Sequence, residues 1–385
     1  MAAGNRVFVV GVGMTKFERC ERDVRELGQE AALAALNDAG VAYDQIEQAF
    51  CGYINGMSAL GQITLYGIGM TGIPVYNVHN NCATGSTALY LAYNAIRTGL
   101  NQAVLALGFE KMEKGPLEKQ LKGLEQLKEE AERENKPPIA ARMFGDAGRD
   151  HMEKYGTKAE TFAKIAVKNH RHSVNNPRAQ YQQAFSLEEI LASRMVYEPL
   201  TLLQCCPTSD GAAAAVLVSE DFLRRHPHPG AVEIRAMAMS TDRMEDWSRG
   251  RIGMVGMGMT ERAARAVYEQ AGIGIEDVDV IELHDCFSTN ELITYEGLGM
   301  CAEGEGEKLV EDEATTYGGR WVVNPSGGLL SKGHPLGATG LAQCAELVWQ
   351  LRGQAETRQV ENARVALQHN LGLGGACVVA LYTRA

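Results

Sequence analysis

Apolar residues in this chain fall into short unbroken runs separated by segments with helical spacing. Val7-Phe8-Val9-Val10-Gly11-Val12 is the first such run. A run without polar alternation suits a strand covered on both faces, so residues 6–14 are predicted to form a core strand. Between Glu30 and Ala39 small apolar residues recur at helical spacing, and Gly40 supplies a helix stop. An acidic turn at Asp44 and a buried strand up to Gly52 follow. The same order returns from Arg262: helix, stop at Ala271-Gly272, acidic turn at Glu276, strand from Val278. The two segments align without a gap at an offset of 232 residues, which puts Asp44 on Glu276 and Ile46 on Val278. Their upstream strands, residues 6–14 and 232–239, share one character. A second echo pairs Cys82-Ala83-Thr84-Gly85 with Gly337-Ala338-Thr339-Gly340, each opening a predicted helix. Two echoes in one order predict a duplicated α/β unit.

Residues 210–218 read as a buried strand that returns to the first half, and residues 364–368 and 377–382 as the last two strands around a glycine-rich turn. The region between the halves is different. Residues 111–138 are highly charged and predict a solvated helix closed by Pro137-Pro138. A second helical run then carries Lys158, Lys164, Lys168, His170, Arg171 and His172. Such a face is either a solvated surface or an anchor for a phosphorylated ligand.

Composition narrows the function classes. With 385 residues, 45% hydrophobic and 22% charged, the chain has globular composition and room for more than one domain. A net charge of −11 argues against nucleic acid or an anionic membrane as partner. No apolar run reaches the about 18–20 residues that a membrane-spanning helix needs. Neither a secretory leader nor a Ser-Lys-Leu type tail is read, so a cytoplasmic protein is expected. Nine cysteines occur without a Cys-x-x-Cys pair or zinc-like spacing, which predicts free thiols, a reducing compartment and no metal. The adjacent Cys205 and Cys206 read as packing.

Four segments carry candidate chemistry. Cys82 stands at the head of a predicted helix, after the strand at residues 74–78. Unpaired amides there favour a thiolate, which would attack a carbonyl carbon, although the same corner suits a small buried cysteine. His284-Asp285-Cys286 ends the strand predicted over residues 280–287, before a helix opened by Ser288. Strand ends of this kind hold active groups in α/β folds, and a capped turn is the plainer alternative. Residues 324–340 form a glycine-rich loop containing Gly333-His334-Pro335, without the spacing of a phosphate-binding loop. His334 there can donate to a carbonyl oxygen. Gly372, Gly374 and Gly375 permit a tight turn whose amides could stabilise an oxyanion.

These motifs together (NNCATGSTAL, HDCFSTNEL, NPSGGLLSKGHPLGATG and HNLGLGGA) resemble the thiolase superfamily, specifically its sterol-carrier-protein type of 3-ketoacyl-CoA thiolase. The resemblance spans the whole chain in family order. It implies an α/β thiolase fold with duplicated halves in a five-layered αβαβα architecture. The expected division is residues 1–118 with a returning segment near 205–226, a coenzyme A-binding loop domain over 119–204, and a second half over 227–385. It also implies a homodimer or homotetramer, acyl-CoA substrates, and coenzyme A as co-substrate without a permanently bound cofactor. Cys82 matches the nucleophile and Cys286 the acid/base cysteine. Many relatives take that cysteine from a Cys-x-Gly motif, whose position here is Asn370. His334 matches the histidine that activates the nucleophile and serves one oxyanion hole, where His284 holds a water. Gly372 with the Cys82 amide matches a second hole. His151, Met152, Lys168, Arg171, Ser209 and Ser326 are the candidate coenzyme A contacts. Thiolytic cleavage or Claisen condensation of 3-ketoacyl-CoA is the implied activity, with a lipid carrier or a steroid side-chain retro-aldolase as alternatives.

Overall fold

The computed structural model describes residues 4–112 and 137–385, so the charged helix expected within residues 111–138 lies mostly outside the described residues. Twelve strands are described: β1 (Val7–Met14), β2 (Gln48–Gly52), β3 (Val75–Val78), β4 (Ala103–Lys111), β5 (Met195–Tyr197), β6 (Leu200–Thr201), β7 (Asp210–Ser219), β8 (Val232–Ser240), β9 (Val280–Glu282), β10 (Val322–Val323), β11 (Val365–Gly372) and β12 (Ala376–Arg384). Ten of them form one sheet in the order β10-β9-β11-β12-β8-β1-β7-β4-β2-β3, and β5 pairs with β6 apart from it.

That order is two copies of one unit. Counted within its own half, each unit runs first, fifth, fourth, second, third. Directions agree as well: β2 pairs in parallel with β3 and β4, and β9 with β10 and β11. The returning strands β7 and β12 lie antiparallel to both neighbours. The halves join where β1 meets β8, antiparallel, at Phe8 with Glu233 and Val9 with Val232. The internal repeat read from the sequence is therefore structural. Helices Val24–Ala39 and Met257–Ala271 end at Gly40 and Gly272, whose φ values of 62° and 65° lie in the left-handed region. A Cβ at either glycine would meet nothing within 4 Å, so backbone conformation rather than space selects glycine there.

The unbroken apolar runs follow from burial on both faces. On β1, Val7 and Val9 enter a central core, while Phe8 and Val10 enter the core beneath helix Val24–Ala39. On β12, Val378, Ala380 and Tyr382 face the same central core, and Cys377, Val379 and Leu381 face the core beneath helix Met257–Ala271. The central core holds helices Thr84–Arg97 and Thr339–Arg352 side by side, through residues such as Leu89, Ile96, Leu341 and Val348. Helix, half-sheet, paired helices, half-sheet and helix make five layers.

The paired helices bring their N-terminal ends together. A Cβ on Gly85 would lie 2.8 Å from the Gly337 carbonyl, and one on Gly340 only 2.1 Å from Ser86 Oγ. Glycine is the only residue that admits this approach, and it brings the Cys82 and His334 loops onto one spot. The strand predicted over residues 280–287 stops at Glu282, so His284, Asp285 and Cys286 occupy the turn before helix Ser288–Gly297. Neither Asp285 nor Ser288 caps that helix; Phe287 is its first flanking residue. No described helix is long and apolar enough to cross a membrane.

Candidate active site

Cys82 lies in the turn between β3 and helix Thr84–Arg97 and is 4% exposed. The turn is held in place from two sides. Asn80 accepts no slack: its amide donates to Thr84 Oγ1 at 2.8 Å and its side chain to Thr87 Oγ1 at 3.0 Å. Asn81, left-handed at φ 47°, donates to the Leu373 carbonyl at 2.6 Å. Gly372 packs so closely that a Cβ there would sit 2.2 Å from the Asn80 carbonyl. The amides of Cys82 and Leu373 both act on the Cys82 sulfur, so the contributing hairpin amide is one residue beyond Gly372.

The thiolate expected from a helix start is overturned. Burial pushes the Cys82 thiol up to about 12, and the two amides offset only part of this. Cys82 stands two residues before the helix, outside the first turn where the helix field acts. The resting group is a thiol, and its proton needs an acceptor.

His334 places an imidazole nearby. Its Nδ1 lies 2.7 Å from Thr339 Oγ1, whose own proton goes to the Pro335 carbonyl at 2.9 Å. Thr339 can therefore only accept from His334, so Nδ1 carries the hydrogen and Nε2 is a bare lone pair. Nε2 is buried and has no hydrogen-bond partner among the described residues. Burial, with Lys332 nearby, pulls the imidazole down to about 3, so it rests neutral. Ser209 accepts the His334 amide at 3.2 Å and fixes the loop. The His284 ring stands 5.0 Å from the His334 ring at 81°. Ligating atoms of Cys82, His284 and His334 all lie within 4.8 Å of one another.

These three residues and Cys286 open onto one cavity of about 700 Å³. Burial holds the Cys286 thiol well above its ordinary range, so it too rests protonated. Phe144 and Phe287, stacked at 5.1 Å, line the cavity with Leu336 and Leu371. Cys206, read as packing, also faces it and donates its amide to the Cys286 carbonyl at 2.9 Å. Arg194 lines the cavity and forms no salt bridge among the described residues; nothing in its sequence context singled it out.

Beneath the loops that carry Cys82 and His334 lies Glu110, fully buried. Its carboxylate accepts the amides of Ile54 at 3.0 Å, Asn55 at 2.9 Å and Gly337 at 3.1 Å. Burial nevertheless raises it to about 7. The sequence offered no motif for it.

The candidate coenzyme A contacts fare differently from the candidate catalytic residues. None of the six lines the cavity at Cys82. His151 is fully buried with Nδ1 on Thr157 at 2.8 Å and Nε2 on Glu296 at 2.9 Å, and Met152 packs against the adjoining core. Lys168 is paired with Glu291 inside the protein. Arg171 donates to Thr316 at 3.2 Å and borders a separate cavity. Ser326 donates to Glu282 at 2.7 Å, beside Lys332. Ser209 serves His334. The basic run over residues 158–172 does not wall this cavity: Lys164 and Lys168 pair with Glu311 and Glu291, while Lys158 and Arg171 stay exposed without an acidic partner among the described residues.

A doubled five-stranded unit with a thiol, two imidazoles and a second thiol where the paired helices begin defines the thiolase class of fold. The chain belongs to the thiolase family: its N-terminal domain profile matches residues 7–221 and the thiolase C-terminal domain-like profile residues 249–382. Sterol carrier protein 2 of Bos taurus is 57% identical over 392 residues, covering 98% of this chain and 72% of that protein. Among solved structures, the Ltp2-ChsH2(DUF35) aldolase superposes with a TM-score of 0.82 at 26% identity, over 98% of both chains. Human mitochondrial 3-ketoacyl-CoA thiolase in complex with CoA superposes at 0.75 with 18% identity, over 99% of this chain and 98% of that one, a likeness of fold.

Proposed function

We propose that this protein cleaves 3-ketoacyl-CoA by thiolysis, or condenses acyl-CoA in reverse, through an acyl-Cys82 intermediate. The observation that carries the reading is a buried thiol beside an imidazole nitrogen that has no partner among the described residues, in a cavity that also holds a second thiol. His334 Nε2 takes the Cys82 proton as the sulfur attacks the 3-keto carbon. The C2–C3 bond then breaks, leaving the acyl group on Cys82 and an enolate of the shortened CoA ester. His284, directly or through a water, and the newly protonated His334 bind the enolate oxygen, and Cys286 donates its proton to C2. Coenzyme A then gives its thiol proton to Cys286 and attacks the acyl-Cys82 carbonyl. Cys82 leaves as thiolate and recovers its proton from His334, which closes the cycle. Amides at the Cys82 turn and the Gly372–Leu373 hairpin serve the second oxyanion.

Residues 119–204 act as the loop domain that receives coenzyme A, and Arg194 at the cavity supplies a cation for its phosphates. The aromatic and aliphatic lining favours bulky apolar acyl chains, including branched or sterol-derived ones. The protein works as a dimer or a pair of dimers. Steady-state kinetics test the reading: loss of 3-ketoacyl-CoA that requires coenzyme A, follows ping-pong kinetics and vanishes in Cys82→Ala. Ketoacyl-CoA binding without turnover would favour a carrier. Turnover retained in Cys82→Ala would favour retro-aldol chemistry, which needs no acyl-enzyme.

A further inference from the structure

We propose that a one-directional hydrogen-bond relay, Tyr382 to Gln368 to Ser86 to Asn370, fixes the His284 proton on Nε2 and so makes His284 a hydrogen-bond donor to the reacting oxygen. Asn370 occupies the position where many relatives carry a cysteine, and its role here is positioning. The relay's direction follows from donor and acceptor capacity at each link. Gln368 Nε2 lies 2.6 Å from the Gly340 carbonyl, which can only accept, so that end of Gln368 is its NH₂ group. Gln368 Oε1 then accepts the Tyr382 hydroxyl, at 2.5 Å. The same NH₂ donates to Ser86 Oγ at 2.9 Å. Ser86 passes its own proton to Asn370 Oδ1, 2.9 Å away. Asn370 is thereby oriented with its NH₂ toward His284 Nδ1, at 3.0 Å. Nδ1 must accept, and a neutral imidazole then holds its one proton on Nε2. A reversed Asn370 amide would take away the acceptor that the buried Ser86 hydroxyl proton has here, leaving a buried donor to find another partner.

The relay joins the two halves, since Ser86 stands on a helix of the first and Gln368, Asn370 and Tyr382 on β11 and β12 of the second. It also gives the two histidines opposite resting characters: His334 presents a lone pair and His284 an N–H. Among the described residues Cys82, His284 and His334 are the group with metal-ligand spacing, and an N–H at His284 withdraws one of the three ligands.

This inference rests on the thiolase reading only for the identity of the oxygen that His284 meets. Nitrogen-15 NMR of histidine-labelled protein reads the proton directly. In the unaltered protein the expected His284 spectrum has a bare Nδ1 and a protonated Nε2. Asn370→Asp offers Nδ1 an acceptor in the same place and should protonate it; Ser86→Ala should leave Asn370 free to turn and shift Nδ1 part of the way. A protonated Nδ1 in the unaltered protein overturns the proposal without any variant being needed, as does a spectrum that Asn370→Asp leaves unchanged. Turnover is the separate readout. Loss of the Nε2 donor should lower kcat roughly 10²–10³-fold with little change in KM. A spectrum that changes while kcat does not would count against the oxyanion role of His284 and leave the relay standing.

Discussion

Thr339→Val isolates the claim that His334 gains charge during the reaction. Among the described residues Nδ1 of His334 has a single partner, the Thr339 hydroxyl at 2.7 Å, and valine keeps the shape while removing the acceptor. In the resting neutral imidazole this bond contributes about 0.5–1.5 kcal/mol to stability. Once His334 holds the Cys82 proton the bond becomes charge-assisted and contributes about 1.5–3 kcal/mol. Only interactions that strengthen toward the transition state enter kcat, so the difference of about 1–1.5 kcal/mol counts there. That corresponds to a loss of roughly 5- to 13-fold. The assay pairs kcat for coenzyme A-dependent cleavage with chemical denaturation. Thr339→Val should lower stability by about 1 kcal/mol and kcat by about tenfold, while Thr339→Ser keeps the hydroxyl and restores both. A stability loss with unchanged kcat would refute the reasoning, because it would mean that His334 stays neutral throughout.

Three further outcomes are expected. Cys286→Ala should lower turnover roughly 10²–10⁴-fold, the range for loss of a positioned acid/base; near-normal thiolysis would remove Cys286 from that role. Arg194→Met should raise KM for coenzyme A about two- to fivefold with kcat unchanged, the effect of one exposed charge, and an unaltered KM would send the phosphates elsewhere. Glu110 should make stability depend on pH. Its folded value of about 7 lies above the usual 4.5, so the folded state holds this proton more tightly. Stability from this group is full below pH 4.5 and is lost as pH rises through about 7, a change of about 3 kcal/mol. Denaturation curves at pH 5 and pH 8 should show that decline in the native protein and not in Glu110→Gln; equal slopes would contradict the assignment.

Much of the fold was legible because the repeat is written in local signals. Helix, left-handed glycine and buried strand recur at Gly40 and Gly272, and a left-handed stop is readable from glycine alone. Cys82, His284, Cys286 and His334 stood out because reactive side chains lay among glycines at element ends, and the fold brings all four to one cavity. What stayed hidden depends on distance along the chain. Lys168 reads as a surface cation until Glu291 is seen beside it, and His151 as a ligand contact until Glu296 closes its ring nitrogen. The protonation of Cys82 was misread because a helix start lowers a thiol while burial raises it, and local sequence reports only the first. Asn370 and Ser86 are 284 positions apart, so the relay between them has no sequence signature.

The central claim is that Cys82 carries the acyl group. Purified protein incubated with a 3-ketoacyl-CoA, without free coenzyme A, tests it by mass spectrometry of the peptide containing Cys82. An acyl adduct on Cys82 that disappears when coenzyme A is added is the predicted result. Bound substrate with no adduct, for straight, branched and sterol-derived chains alike, would contradict it.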